Sequence, residues 1–257
     1  MELTFKITKT DSTANILGML REINEEDSSS TLSMPMIVEK LVKRSFGYER
    51  FATHISPMTP LFTDEYADAA PRLTITETTE QRGMIGLLGQ LVPLRADIAK
   101  PHNVLSCRLL RATQNDVVAM KRVVRYLAFT NLVSPPIGLT LYPAVPHVDP
   151  RTASVPLTMW SDYAHNCHPD SKGHGGVGAS MGDERSGLFH SQSQKLSFVT
   201  DSTTAGEIAV GVKIVKRVEW MRNVIESLRL KMPPAKFHID NAPCLRCVQS
   251  SRVRRSD

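Results

Sequence analysis

Leu157-Thr158-Met159-Trp160-Ser161-Asp162, Thr204-Ala205-Gly206-Glu207-Ile208 and Lys236-Phe237-His238-Ile239-Asp240 are the pieces of residues 157–240 on which the reading of this chain turns. The first and third are short strand-like runs that end on an acid. The second opens a long amphipathic pattern, with its acid near the start. Two strand ends and one helix start are places from which separate side chains converge on one point. Three carboxylates meeting there suit a divalent cation, because Mg²⁺ prefers oxygen ligands. At about 4 Å separation, each pair would repel by roughly 4 kcal/mol at an effective dielectric near 20. Without metal, one acid is therefore expected to keep its proton.

Each acid also has a purely structural reading. Thr204-Ala205-Gly206-Glu207 matches a capping box, Asp240 before Asn241 can cap a following helix, and Asp162 can form a strand-end turn. Working outward, Gly176–Met181 and Leu188–Gln192 read as two further strands. Ile208, Val212, Val215, Met221, Ile225 and Leu228 recur at helical spacing until Pro233-Pro234 stops the helix. Another helix is expected to start at Asn241, with Pro243 in its first turn. Strands, helix, strand and helix in that order indicate an α/β layer with a mixed sheet.

Upstream, Pro143 to Arg151 is proline-rich and polar and serves as a domain boundary. Gln81–Leu94, Ile98–Leu110 and Asn115–Phe129 carry helical periodicity, and Thr63–Thr79 reads as a linker or surface loop. Leu3, Phe5 and Ile7 alternate like a strand, Leu32–Met36 suits another, and Ile37, Leu41 and Val42 fall at helical spacing before Gly47. Lys121, Arg122 and Arg125 share one helical segment. Such a run usually just solvates a bundle, and the sharper alternative is a surface lying along a phosphate backbone.

The 257 residues carry a net charge of +5, which mildly favours a polyanionic partner. No signal peptide opens the sequence, and the apolar run from Gly83 to Leu94 is too short to cross a bilayer, so an intracellular setting without membrane attachment is expected. Four cysteines make no disulfide scaffold. Cys244-Leu245-Arg246-Cys247 is a C-x-x-C that suits a redox pair or, with His165, Cys167, His168 and His174, a zinc site. Buried thiols are the favoured reading.

Trp160-Ser161-Asp162-Tyr163-Ala164, His190 to Lys195, Ser202 to Ala209 and Ile239-Asp240-Asn241 together resemble the ribonuclease H domain of copia-type LTR retrotransposon Pol polyproteins. Ile85 to Gly89, Arg95 to Ile98, Ala119 to Leu127 and Gly138 to Tyr142 resemble the end of that family's reverse transcriptase. The resemblance implies three parts: residues 1–75 from the reverse transcriptase palm, a helical thumb/connection-like segment at 76–147, and a ribonuclease H-like domain at 148–257 that stops short of the family's fourth acid. The implied fold is α/β, a ribonuclease H-like mixed sheet with flanking helices. Asp162, Glu207 and Asp240 would be the catalytic, metal-binding acids, holding Mg²⁺ or Mn²⁺ to hydrolyse RNA in an RNA–DNA hybrid. Asn241, Gln192, Gln194 and Lys195 would touch substrate, and the rest of a Pol polyprotein would be a partner. No adjacent Asp-Asp pair occurs, so DNA synthesis is not expected. The alternative is an inactive remnant that binds nucleic acid without cutting it.

Overall fold

The computed structural model describes residues 14–253, apart from residues 17, 48, 61, 133–136, 143–153, 183–184 and 229. The strand expected at Leu3–Ile7 and the boundary expected between residues 147 and 148 lie outside the described residues. The architecture is mixed α/β, with two four-stranded sheets and seven α-helices among the described residues.

The first sheet is antiparallel, in the order β1 (Ala14–Ile16), β2 (Met19–Ile23), β3 (Ser30–Ser33) and β4 (Leu139–Leu141). Gly18 sits in the β1–β2 turn at φ +81°, a conformation that a Cβ would strain. Between β3 and β4 the chain forms a helical body: α1 (Pro35–Phe46), α2 (Asp64–Asp68), α3 (Ile75–Leu91), α4 (Ala99–Cys107) and α5 (Gln114–Asn131). Its core joins Val38 and Leu41 of α1 to Leu88 and Leu91 of α3, Leu105 of α4, and Val123, Val124 and Leu127 of α5. That core crosses the division expected at residue 75.

The linker expected at Thr63–Thr79 is ordered instead. Thr63 caps α2 by accepting the Tyr66 N–H, and Thr74 with Glu77 forms a capping box on α3. What holds the segment down is Arg108, whose guanidinium reaches Asp64 at 2.5 Å, Asp68 at 2.8 Å and Asp116 at 2.7 Å. A partner 40 or more residues away leaves no trace in local sequence pattern, which is why the stretch reads as loop.

The second sheet has the order β7 (Leu188–Lys195), β6 (His174–Met181), β5 (Leu157–Ala164), β8 (Lys236–Ile239). The first three strands are antiparallel to their neighbours, and β8 runs parallel to β5. Along β5 the residues Leu157, Met159, Ser161 and Tyr163 are buried, while Trp160, Asp162 and Ala164 are exposed. This period of two gives the sheet one dry and one open face. The long helix α6 (Thr203–Ser227) covers the dry face, packing Ile214, Val218 and Ile225 on Leu157, Met159 and Ala179. A last helix, α7 (Ala242–Val253), follows β8. The two bodies meet where α4 packs on β7, and the Gly187 N–H donates to the Thr140 carbonyl at 2.7 Å. No described helix is long and apolar enough to cross a membrane.

Candidate metal centre

Asp162 is not a turn residue: it lies inside β5, opposite Gly176 of β6. Glu207 is not part of a capping box either. Helix α6 begins two residues earlier than the Thr204 reading requires, and its N-cap is Ser202, whose Oγ accepts the Ala205 N–H at 3.2 Å. Glu207 therefore sits in the second turn, pointing at the sheet. Asp240 is not the cap of α7, because Asn241 fills that role, its Oδ1 accepting the Cys244 N–H at 2.8 Å. All three purely structural readings are thus excluded by the positions the residues occupy.

Close packing brings the helix acid to the strand acids. A Cβ on Gly206 would stand 1.9 Å from Cε1 of the Tyr163 ring, so only glycine lets α6 approach β5 this closely. Strand β8 ends at Ile239, opposite Ser161. Beyond that point the Tyr163 backbone amide faces the Glu207 carboxylate and favours its charged form. One carboxylate oxygen of each of Asp162, Glu207 and Asp240 lies within 4.8 Å of the other two. Asp162 and Asp240 are exposed, whereas Glu207 is 2% exposed.

The electrostatics of this group are unbalanced. Burial, reinforced by the charges of Asp240 and Asp162, pushes Glu207 up to about 7, against the pull of the Tyr163 N–H. Its Oε2 is buried without a hydrogen-bond partner. At 4.8 Å, each charged pair repels by on the order of 3 kcal/mol at an effective dielectric of 20. The donor set is all carboxylate oxygen, which fits a hard divalent cation such as Mg²⁺ or Mn²⁺ rather than zinc. These three residues can hold such an ion, and among the described residues they are the one group of three or more His, Cys, Asp and Glu side chains so placed.

Two hollows open on either side of Asp162 and Gly176, which line both. A cleft of about 980 Å³ runs between the helical body and the second sheet, lined in part by Lys100, Arg111, His168, His174, Ser193 and Lys195. A smaller hollow of about 640 Å³ holds Asp240 together with Trp160 and His238, whose rings stack at 5.6 Å.

The remaining expected site residues divide. Lys195 lines the larger cleft, with its Nζ 2.8 Å from Asp170. Gln192 and Gln194 line neither hollow: strand alternation turns them to the other face of β7, where the Gln192 Nε2 donates to the Gln194 Oε1 at 2.7 Å. The same alternation places Ser193 in a row with Gly176 and Asp162, a position that a period-two reading of Leu188–Lys195 identifies. Ser193 Oγ contacts His174 Nε2 at 2.7 Å, and His174 Nδ1 lies 3.1 Å from His168 Nε2. Burial, with His168, Lys100 and Lys195 adding to it, holds His174 down at about 4, so it is neutral at physiological pH. These histidines do not join a cysteine in a metal-binding group among the described residues. Cys244 is buried and Cys247 exposed, both as free thiols, so burial accounts for only the first.

Comparison with protein-family models and with curated proteins finds no match to this chain.

Proposed function

We propose that the chain is a metal-dependent nuclease of the ribonuclease H type, derived from a copia-like retroelement, that hydrolyses the RNA strand of an RNA–DNA hybrid. The observation that carries this reading is Glu207: a buried carboxylate with an unpartnered oxygen, grouped with two further carboxylates and with no ion-paired cation among the described residues. A stable fold tolerates such a group when the missing charge comes from outside. The mixed sheet with helix α6 on one face agrees with the ribonuclease H-like fold that the resemblance implies. The ordered residues of the helical body then correspond to the end of the reverse transcriptase region.

In this reading Asp162 and Asp240 present oxygens from the solvent side, and Glu207 presents one from beneath them. Divalent metal bound there supplies the positive charge that a phosphodiester needs and the acidity that activates water. The chain itself does the placing. The Tyr163 amide faces Glu207, and Asn241 fixes the backbone that follows Asp240. The larger cleft brings Lys100, and Lys195 and Arg111 with the acids they already pair, to one side of the three acids, where a nucleic-acid backbone would face them. Neutral His174 and the Ser193 hydroxyl offer hydrogen bonds without adding charge. Cleavage leaves a 3′-hydroxyl.

The test is incubation with an end-labelled RNA–DNA hybrid in Mg²⁺ or Mn²⁺, alongside Asp162→Asn. Metal-dependent loss of the RNA strand that disappears in the variant supports the nuclease. Salt-sensitive binding without cleavage makes the chain a non-catalytic nucleic-acid-binding element.

A further inference from the structure

The proposed nuclease makes no use of the C-x-x-C in α7. Cys244 and Cys247 lie three residues apart in a helix that starts at Ala242, which sets their Cα atoms about 5 Å from one another. A disulfide accepts Cα separations of roughly 4.4–6.8 Å. The two thiols are free and unequal: Cys244 is 1% exposed, whereas Cys247 is open to solvent. The pair also borders the metal centre, since Cys244 follows Asp240 by four residues. The Asn241 Oδ1 accepts the Cys244 N–H at 2.8 Å, and the Asn241 carbonyl accepts the Leu245 N–H at 3.0 Å. The backbone directly after Asp240 is thereby tied to the turn that carries Cys244. Leu245, between the two cysteines, lines the smaller hollow together with Asp240. Burial, then the charges of Glu207 and Cys247, push the Cys244 thiol up, so the buried cysteine feels the Glu207 carboxylate as well as its partner.

We propose that Cys244 and Cys247 form a reversible oxidation site, whose disulfide draws Asp240 away from the other two acids and lowers their joint affinity for divalent metal. The oxidant is a small disulfide of the glutathione type. Cys247, the accessible sulfur, attacks it as the thiolate, expelling one thiol and forming a mixed disulfide. Cys244 then gives up its proton and displaces the second thiol. Two protein thiols are thus oxidised to one bridge, the oxidant is reduced to two thiols, and the cysteine protons leave with them. The bridge deforms the helix that holds it. On a regular helix the Cβ atoms of residues three apart stand about 5–6 Å from one another, while a disulfide holds them at about 3.8 Å. Closing that gap tightens the first turn of α7 and pulls buried Cys244 towards its exposed partner. The Asn241 cap belongs to the same turn, and Asp240 directly precedes it. The other free thiols, Cys107 at the end of α4 and Cys167 between β5 and β6, stand on separate elements. The inference rests on the metal centre, though not on the chain being able to cut RNA.

The experiment oxidises the full chain with glutathione disulfide, removes the reagent by dialysis, and titrates the oxidised and reduced protein with Mn²⁺ by calorimetry. Peptide mapping should find Cys244 joined to Cys247. Mn²⁺ should bind roughly tenfold more weakly to the oxidised chain, with recovery in dithiothreitol. Reciprocity supplies an independent measure: a tenfold preference of Mn²⁺ for the reduced form raises the midpoint potential of the pair by about 30 mV when Mn²⁺ saturates both forms. Cys247→Ser should bind Mn²⁺ like the reduced parent, before and after the oxidant. Cys107→Ser/Cys167→Ser should switch as the parent does, which separates the α7 pair from the thiols elsewhere. A glutathione adduct on Cys247 that never resolves into the Cys244–Cys247 bridge overturns the proposal. So do a bridge that leaves Mn²⁺ affinity unchanged and a midpoint indifferent to Mn²⁺, and these results leave the metal centre standing. Absence of Mn²⁺ binding in the reduced parent removes the metal centre, and the switch falls with it.

Discussion

Two groups of three carboxylates among the described residues are treated in opposite ways. Asp64, Asp68 and Asp116 surround the guanidinium of Arg108, which is 2% exposed. Burial works against the charge of Arg108, but the hydrogen bonds it donates to Asp116, Asp68 and Asp64 more than offset it and raise its pKa. Among the described residues Asp162, Glu207 and Asp240 have no ion-paired cation, and burial plus mutual repulsion raise Glu207 to about 7. Carboxylates that hold a fold together come with their own cation. Carboxylates gathered without one pay a standing electrostatic penalty, and that penalty marks a place where charge arrives from outside.

The sharpest way to break this contrast is to take away the internal cation. Arg108→Met leaves Asp116 buried and uncompensated, and should cost about 3–5 kcal/mol in urea unfolding whether or not Mg²⁺ is present. A loss below about 1 kcal/mol would place the Arg108 group on the same footing as a surface ion pair.

The converse substitution should stabilise. Glu207→Gln removes a charge that the native site disfavours, so in EDTA at pH 8 it should gain about 2–3 kcal/mol over the parent. The sign follows from the raised pKa: between 4.5 and about 7 the native protein binds more protons than the unfolded chain, so stability falls as pH rises through that window. Thermal scans in EDTA should therefore show the parent gaining stability from pH 8 down to pH 5, with Glu207→Gln nearly flat in comparison. Saturating Mg²⁺ should flatten the parent's profile from the high-pH side. A parent whose stability rises with pH across this range would contradict the raised pKa.

The smallest expected effect concerns the cap. Asn241→Ala removes one side-chain acceptor from the start of α7 and should cost about 1 kcal/mol. Because Asn241 fixes the backbone next to Asp240, the same change should weaken metal binding while leaving the Arg108 group untouched. Measuring both unfolding and Mn²⁺ affinity separates the two.

The sequence reveals the acid group better than the charge group beside it, and the reason is range. Asp162, Glu207 and Asp240 each sit in a recognisable strand or helix pattern, so their convergence is readable from element order. The exact start of α6 is not, because Ser202, Thr203 and Thr204 are all competent caps and tertiary packing against Tyr163 picks the first. Asp64 and Asp68 look like loop residues until Arg108 is brought to them from 40 or more positions away. Likewise, Arg125 reads as a solvated helix charge; only the folded position of Phe46 shows what it leans on.

The central claim is that the three acids await a divalent ion, and calorimetric titration with Mn²⁺ at pH 6.5 tests it most directly. Run in two buffers of different ionisation enthalpy, the titration counts the protons that binding releases. Most of Glu207 is protonated at that pH, given its value of about 7. The account predicts saturable binding that expels close to one proton and is lost in Glu207→Gln. Absence of saturable binding at millimolar Mn²⁺, or binding that releases no proton and survives Glu207→Gln, contradicts it.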